Sequence, residues 1–531
     1  FEGGDDDNVG TPRFPLSTLH STLHEAIERI NEGTDLPPDG NYSVYVAPGT
    51  YVVGTEGEPD APLMIEQNVL IYGDGLVTLD GAGAQEWATA FSISPGVSNV
   101  RLEGLAINNF KTGVQVTADA ACVDIIETTI DGGAAGISGL KLLESFQVTV
   151  DMTQSTILNY DNGIEVHESS ANNVFRNGVL SGNRIYGIRV NGTREAPADN
   201  RFEKMNIIDN EGPGVGFLAG FGNTVSDSLI ARNNIGISGT GGDAAGYGGI
   251  VIQNGSGVVK YSQILDNHCA GVYADETSPV EIAGNLIRGN KEGIRLGFTA
   301  NATVMSNTIT GNAEAGLFVE VGSTVSTLTM LYNILYEETY QADTSAEPFD
   351  LHVEGDTADL DYDKLQYNDV GTMNIPWLPA TNLSVDPAFD SDYSLEPASL
   401  CINATDGVSS GRDITGAPRP QGTSWDMGAY ESSVGGPTDT DGDGFSDDWE
   451  LEHFQSLDTV SEPGADQDGD GISDWNEFMS GTNPASPVSV AITDPAASPY
   501  FYQNQNSISL AGSSAYAKTI TIVNAAAGFT A

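Results

Sequence analysis

Two short stretches near the C-terminal end carry the residue types and spacing of a metal site. Asp439, Asp441, Asp443, Asp447 and Glu450 stand at positions 1, 3, 5, 9 and 12 of a twelve-residue loop with Gly444 at position 6. Asp466, Asp468, Asp470, Asp474 and Glu477 repeat the pattern 27 residues later around Gly471. Hard oxygen ligands this close together, a glycine for the sharp bend and a glutamate able to bind through both oxygens form the grammar of a calcium loop. Position 7 offers its backbone carbonyl, here from Phe445 and Ile472. Residues 437–484 hold 14 Asp or Glu and no Lys or Arg, so without a bound cation the segment repels itself. Ca2+ is therefore the expected cofactor. A merely charged linker is the competing reading, against which the duplication argues. Short helices from Trp449 to Phe454 and from Trp475 to Met479 are expected to pack aromatic rings between the loops.

A second set of candidates lies upstream, among basic residues that are scarce in this chain: 20 Lys and Arg against 74 Asp and Glu. Tyr160, Glu165, His167, Arg184 and Arg189 form one group. His268, Tyr273, Asp275, Lys291 and Arg295 form another. Each holds groups fit for proton transfer. The competing reading, and the weightier one, makes Glu165 with Arg189, and Asp275 with Lys291 or Arg295, ion pairs that ease the repulsion of an acidic surface. His20 and His24, one helical turn apart, offer a further metal pair, though a solvated pair is the simpler reading. No Cys-x-x-Cys pair or phosphate-binding loop occurs.

What brings such distant residues together is a repeat between residues 99 and 320: an apolar pair, a polar turn with Asn, then Gly and a β-branched or Leu residue. It runs through Asn108-Asn109 and Gly113, Asn159 and Gly163, Asn183 and Gly187, Asn210 and Gly214, Asn233 and Gly236, Asn267 and Gly271, Asn290 and Gly293, and Asn312 and Gly316. From Gly113 to Gly236 these glycines, with Gly136 between, fall 22 to 27 residues apart, and from Gly271 onward 22 and 23. Such a period marks a solenoid, and the alternation in Gly-Ile-Glu-Val at 163–166 marks strands. Each coil would pair its backbone with its neighbours at about 4.8 Å. Gly is expected at positive-φ corners, and Asn in an amide ladder. Gly236 to Gly271 spans 35 residues. The insertion is either a loop beside the second group, where it could cover a groove, or a distorted extra coil centred on Gly249-Ile250-Val251-Ile252.

On these phrases the chain resembles the right-handed parallel β-helix proteins of the pectin-lyase-like superfamily. Val44 to Tyr51 resembles that family's first coil. Leu16, Leu19, Leu23, Ile27 and Ile30 read as an amphipathic helix capping its open end. Asp386-Pro387-Ala388-Phe389, Gly416 to Pro420 and Asp426 to Glu431 resemble the closing segment of bacterial secreted members. The resemblance implies polysaccharide as partner and, in the lyases, a Lys or Arg that abstracts a proton beside a uronate with calcium on its carboxylate. The sharper motifs of the hydrolases and of the classical pectate lyases are absent. The paired loops, with Gly481-Thr482-Asn483-Pro484 after them, resemble thrombospondin type 3-like repeats, where calcium stiffens a spacer. Val488 onward resembles the start of an immunoglobulin-like sandwich.

The expected architecture is all-β: an N-terminal segment and capping helix at 1–42, a parallel β-helix at 43–335, its closing segment at 336–434, paired calcium loops at 435–487 and a partial immunoglobulin-like domain at 488–531. A formal charge of −54 argues against nucleic acid and anionic membranes as partners. No apolar run is long enough to span a bilayer. Cys122 and Cys269, about six coils and so roughly 29 Å apart, cannot be bridged, and both are expected to be buried thiols; Cys401 has no evident partner. The expected function is a structural or adhesive protein, extracellular or at the cell surface, that meets extracellular polysaccharide. The alternatives are a calcium-assisted polysaccharide lyase or hydrolase, and a fibre subunit that pairs with copies of itself or another surface protein through its C-terminal strands.

Overall fold

The computed structural model describes residues 23–33, 41–52, 62–82, 89–117, 119, 121–192, 198–235, 248–275, 279–297, 301–321, 327–336, 349–355, 360–407, 410–433, 445, 447–457, 465–469, 473–474, 483–486, 491–494 and 511–513. Helix α1 (Leu23–Asn31) buries Leu23, Ala26, Ile27 and Ile30 against the first coil and covers the end of the core.

From Tyr42 to Val370 the chain winds as a three-sided parallel solenoid. The first side stacks strands such as Val174–Arg176 on Arg201–Glu203, the second stacks Val179–Ser181 on Asn206–Ile208, and the third stacks Tyr186–Val190 on Val215–Phe217. Within a strand, side chains alternate between a continuous core and the outer surface, as in Asn99–Asn108. The stacking runs beyond residue 335, since Phe349–Glu354, Leu365–Gln366 and Asp369–Val370 pair with the preceding coil on the third, first and second sides.

Asparagine ladders hold the turns. Asn183, Asn210, Asn233, Asn267, Asn290 and Asn312 form one, each side-chain amide donating to the next Oδ1 at 2.8 to 3.1 Å. Asn285, Asn307, Asn333, Asn368 and Asn382 form a second at another corner. Buried amides in register satisfy one another and the turn backbone, so burial costs them little.

The repeat glycines do a different job from the one expected. Gly163, Gly187, Gly271 and Gly293 keep ordinary φ. A Cβ on Gly163 would lie 2.6 Å from the Gly187 carbonyl oxygen and 3.0 Å from Asn183 Nδ2, so the requirement is close approach of successive coils. The left-handed corner falls one residue before the ladder asparagine, at Asp209 (φ 55°), Arg232 (53°), Asp266 (54°) and Gly289 (68°).

The long repeat is no extra coil. Gly248–Gln253 takes its regular place on the third side between Val215–Phe217 and Ala270–Asp275. The surplus residues 236–247 lie outside the described ones, as do His20, half of the second calcium loop and more than half of the first. His24 is paired with Glu28 at 3.3 Å.

After Val370 the closing segment packs Val385, Leu395, Cys401, Ile402 and Met427 against Ile334 of the solenoid. Arg412 reaches Asp227 at 2.9 Å and lies 3.7 Å from the Tyr261 ring centroid. Buried Arg419 faces Glu431 at 3.5 Å and donates to the carbonyls of Asp426 and Gly428. The three cysteines are free; Cys401 is buried, Cys269 half-buried, and Cys122 is exposed, contrary to expectation, because it opens a strand with its side chain outward.

Candidate functional site

The outward residues at the centre of the third side form one column through Gln115, Lys141, Glu165, Arg189, Gly216, Val251, Tyr273, Arg295, Phe318 and His352. The structure thus brings Glu165 beside Arg189 and Tyr273 beside Arg295, as the repeat implies. Lys141 lies in the column before Glu165, and Gly216 and Val251 stand between Arg189 and Tyr273.

Tyr160 does not belong to this surface. It is 0% exposed, and its ring fills a space bounded by Gly113, Gly132, Gly136 and Gly139. Its backbone N donates to Asn183 Oδ1 at 3.2 Å, so Tyr160 occupies the ladder position one coil earlier. Stacking it beside Arg184 was a slip of one residue, which turns a side chain from the surface to the core. Burial raises its phenol well above the ordinary range.

Arg184 is committed to structure. Its Nε holds Asp161 at 2.8 Å, and its terminal nitrogens donate to the carbonyls of Asn159, Gly133 and Gly136, clamping turns of successive coils. Glu165 accepts from Ser138 at 2.5 Å and faces Lys141 at 3.8 Å. Arg189 donates to Asn191 at 3.1 Å and lies 5.7 Å from the Tyr186 ring. His167 begins the turn after the strand, its backbone N bonded to Leu142 O.

In the second group Arg295 pairs with buried Glu292 at 2.9 Å and with Glu320, and its guanidinium lies 4.7 Å from the Phe318 ring. Phe318 in turn stacks on His352 at 4.7 Å. Burial lowers the His352 pKa, which favours the neutral ring. Tyr273 donates to Asp275 at 3.1 Å, and Lys291 pairs with Glu314 at 3.1 Å. Ion pairs form in this group, but the partners are Glu292, Glu314 and Glu320, not Asp275, and in the first group Glu165 pairs with Lys141, not Arg189. His268 is exposed at the neighbouring turn. Phe318 follows Gly316 in the repeat and falls in the column as its position implies, whereas His352 was missed because no copy of the Asn and Gly phrase precedes it.

The calcium-loop segment forms a small core of its own. Phe445 is 0% exposed, stacks on Trp449 at 5.2 Å and packs with Leu400, Phe454 and Ala465. Helix α2 (Asp447–His453) carries Glu450, whose carboxylate is fully buried, and Asp474 is 1% exposed and accepts from Gln467 N at 2.9 Å. Asp466 Oδ1 accepts from Gly469 N at 2.8 Å, which folds the second loop back on itself. Buried carboxylates in a stretch without Lys or Arg fit a divalent cation, since only a countercharge offsets their desolvation. Asp439, Asp441, Asp443, Asp470, Ile472 and Glu477 lie outside the described residues. Among the described residues no group of three His, Cys, Asp or Glu could hold a metal ion.

Residues 179–335 match the family model described as "Right handed beta helix region". The chain carries a right-handed β-helix. Residues 67–246 match the model of a periplasmic copper-binding protein (NosD), and 439–455 and 466–487 match that of the bacterial TSP3 repeat. No curated protein matches the chain. Among solved structures, the β-helix is similar to the A-module of a mannuronan C-5 epimerase from Azotobacter vinelandii, at 15% identity over 65% of this chain and 89% of that one (TM-score 0.35). It is also similar to a pectate lyase, at 14% identity over 80% and 94% (TM-score 0.37). A third is the catalytic unit of an alpha-1,3-glucanase from Streptomyces thermodiastaticus, at 16% identity over 54% and 62% (TM-score 0.35). No described helix is long and apolar enough to cross a membrane.

Proposed function

We propose that this β-helix is an extracytoplasmic polysaccharide-binding protein whose third side is the binding face and whose TSP3 repeats are held by Ca2+. The observation that carries the reading is the column of half-buried Arg295, Phe318 and His352 on three successive coils, continued by buried Tyr273 and flanked by Asp275 and Glu320. Aromatic, hydroxyl and charged groups repeated at the coil spacing of about 4.8 Å suit an extended polymer of repeating polar units.

Binding is favoured over a lyase reaction by the state of the bases. Arg184 is bonded to three carbonyls and Asp161, and Arg295 is held between two glutamates. A general base needs a free lone pair at the substrate proton, and guanidinium groups so engaged are poor candidates. Ca2+ would be held by Asp439, Asp441, Asp443, Phe445 O, Asp447 and Glu450 in one loop and by Asp466, Asp468, Asp470, Ile472 O, Asp474 and Glu477 in the other. The bound ion would supply countercharge and rigidity.

The test is co-sedimentation of the intact protein with a panel of insoluble and gel-forming polysaccharides, with Phe318→Ala and His352→Ala beside the native chain. Retention that both substitutions weaken supports the binding face. Retention unchanged by either overturns it, and a calcium-dependent rise in absorbance near 235 nm with uronate polymers would establish the lyase alternative instead.

A further inference from the structure

The end of the solenoid displays an aromatic surface that lies outside the outward column. Trp377 is 53% exposed, one of the most exposed large apolar side chains among the described residues, and it stacks on Tyr362 with centroids 4.7 Å apart and planes 14° from parallel. Tyr362 is partly buried and packs on the main core. The backbone that carries Trp377 is fixed on both sides: Ile375 is buried, Leu378 packs on the core, and Asn374 exchanges hydrogen bonds with Val353 at 2.7 and 2.8 Å. The indole is therefore held out from the surface by anchored neighbours, with one face on Tyr362 and the rest presented to solvent.

We infer that Trp377, backed by Tyr362, is a platform for the apolar face of a pyranose ring in an uncharged glycan. This inference rests on the reading of the protein as polysaccharide-binding and adds a second place of contact. An indole carries about 150–250 Å² of surface, of which roughly half is open here, and its flat face matches the C–H face of a sugar. Its fixed orientation removes most of the ordering cost that a mobile side chain would incur on binding. Charge sets the class. Asp361 and Asp363 flank Tyr362 and are exposed, and the single cation of that turn, Lys364, is paired with Asp361 at 3.2 Å. On a chain of net charge −54, such a platform repels polyuronates and accepts neutral sugars. Met373, four residues before Trp377, bridges to Leu351, next to His352 in the last strand of the third side, so the platform lies on the segment that follows the last coil.

The experiment titrates the intact protein, with calcium present, with cellohexaose and laminarihexaose as neutral probes and hexagalacturonate as the charged one, following tryptophan fluorescence and heat. A neutral hexasaccharide is expected to bind, at least tenfold more weakly to Trp377→Ala and within threefold of native to Trp377→Phe, while hexagalacturonate binds at least tenfold more weakly than the neutral probe. Equal binding by native and Trp377→Ala overturns the platform; if Phe318→Ala then weakens binding, the face on the third side stands without it. Preference for hexagalacturonate overturns the neutral class, and no binding of either neutral probe at millimolar concentration overturns the platform outright. Because Trp377 is largely exposed, an unchanged melting temperature of Trp377→Ala is expected and separates lost contact from lost fold.

Discussion

Tyr160 stands in the place that Asn183 fills one coil later, its backbone N bonded to Asn183 Oδ1 at 3.2 Å, so the asparagine ladder starts from a buried phenol. Phe110 is likewise buried at the end of an earlier copy of the same phrase. The first coils fill this corner with rings, and the later coils fill it with amides.

The Tyr160 hydroxyl is buried without a hydrogen-bond partner. Tyr160→Phe is therefore expected to keep or raise the melting temperature and to leave glycan binding intact. Tyr160→Ala empties a large core site and should cost about 3–5 kcal/mol. Chemical denaturation of the two variants checks this, and loss of binding in Tyr160→Phe with an intact fold would give the phenol a role in the site after all.

A buried mid-ladder asparagine should matter far more than an exposed one. Asn267 Oδ1 accepts from both the backbone N and the side chain of Asn233, while its Nδ2 donates to Ile230 O and Asn290 Oδ1. Asn267→Ala strands several buried polar groups, at about 1–3 kcal/mol each. Urea unfolding should show a loss of several kcal/mol, whereas Asn301→Ala at an exposed strand position should change little.

Calcium removal should be felt past the loops. Phe445, whose carbonyl is a predicted ligand, packs its ring on Leu400 of the closing segment. The sequence suggested a spacer stiffened by calcium, and this contact ties that segment to the end of the solenoid. Chelation is expected to speed amide exchange around 396–407 while coils 99–320 stay protected. Exchange confined to the loops would show that the Phe445 contact transmits nothing.

The closing segment should be stabilised by mild acid. Burial raises Asp369 to about 7 and Asp426 to about 6 from an ordinary 3.8. A carboxyl whose folded pKa lies above its unfolded one adds stability that is complete below about pH 4 and lost as pH rises through the folded value. The melting temperature should therefore fall between pH 5 and 8, and Asp369→Asn, which keeps the acceptor for Val385 N, should flatten that fall. An identical pH profile for Asp369→Asn would refute the assignment.

The solenoid, the ladder and the loop pattern are legible in short-range spacing alone: a repeat of 22 to 27 residues in one case and twelve-residue loops in the other. Tertiary structure decided which residues share a face. A period read from glycines carries an uncertainty of one residue, and in a strand one residue is the difference between core and solvent, which is why Tyr160 left the surface group. The same structure decided the ion pairs, since Glu292, Glu314 and Glu320 reach the basic residues through side-chain geometry that spacing does not record. Trp377 on Tyr362 needed the fold as well: fifteen residues apart in sequence, they meet only because the solenoid ends there and its core anchors the chain on either side of the indole.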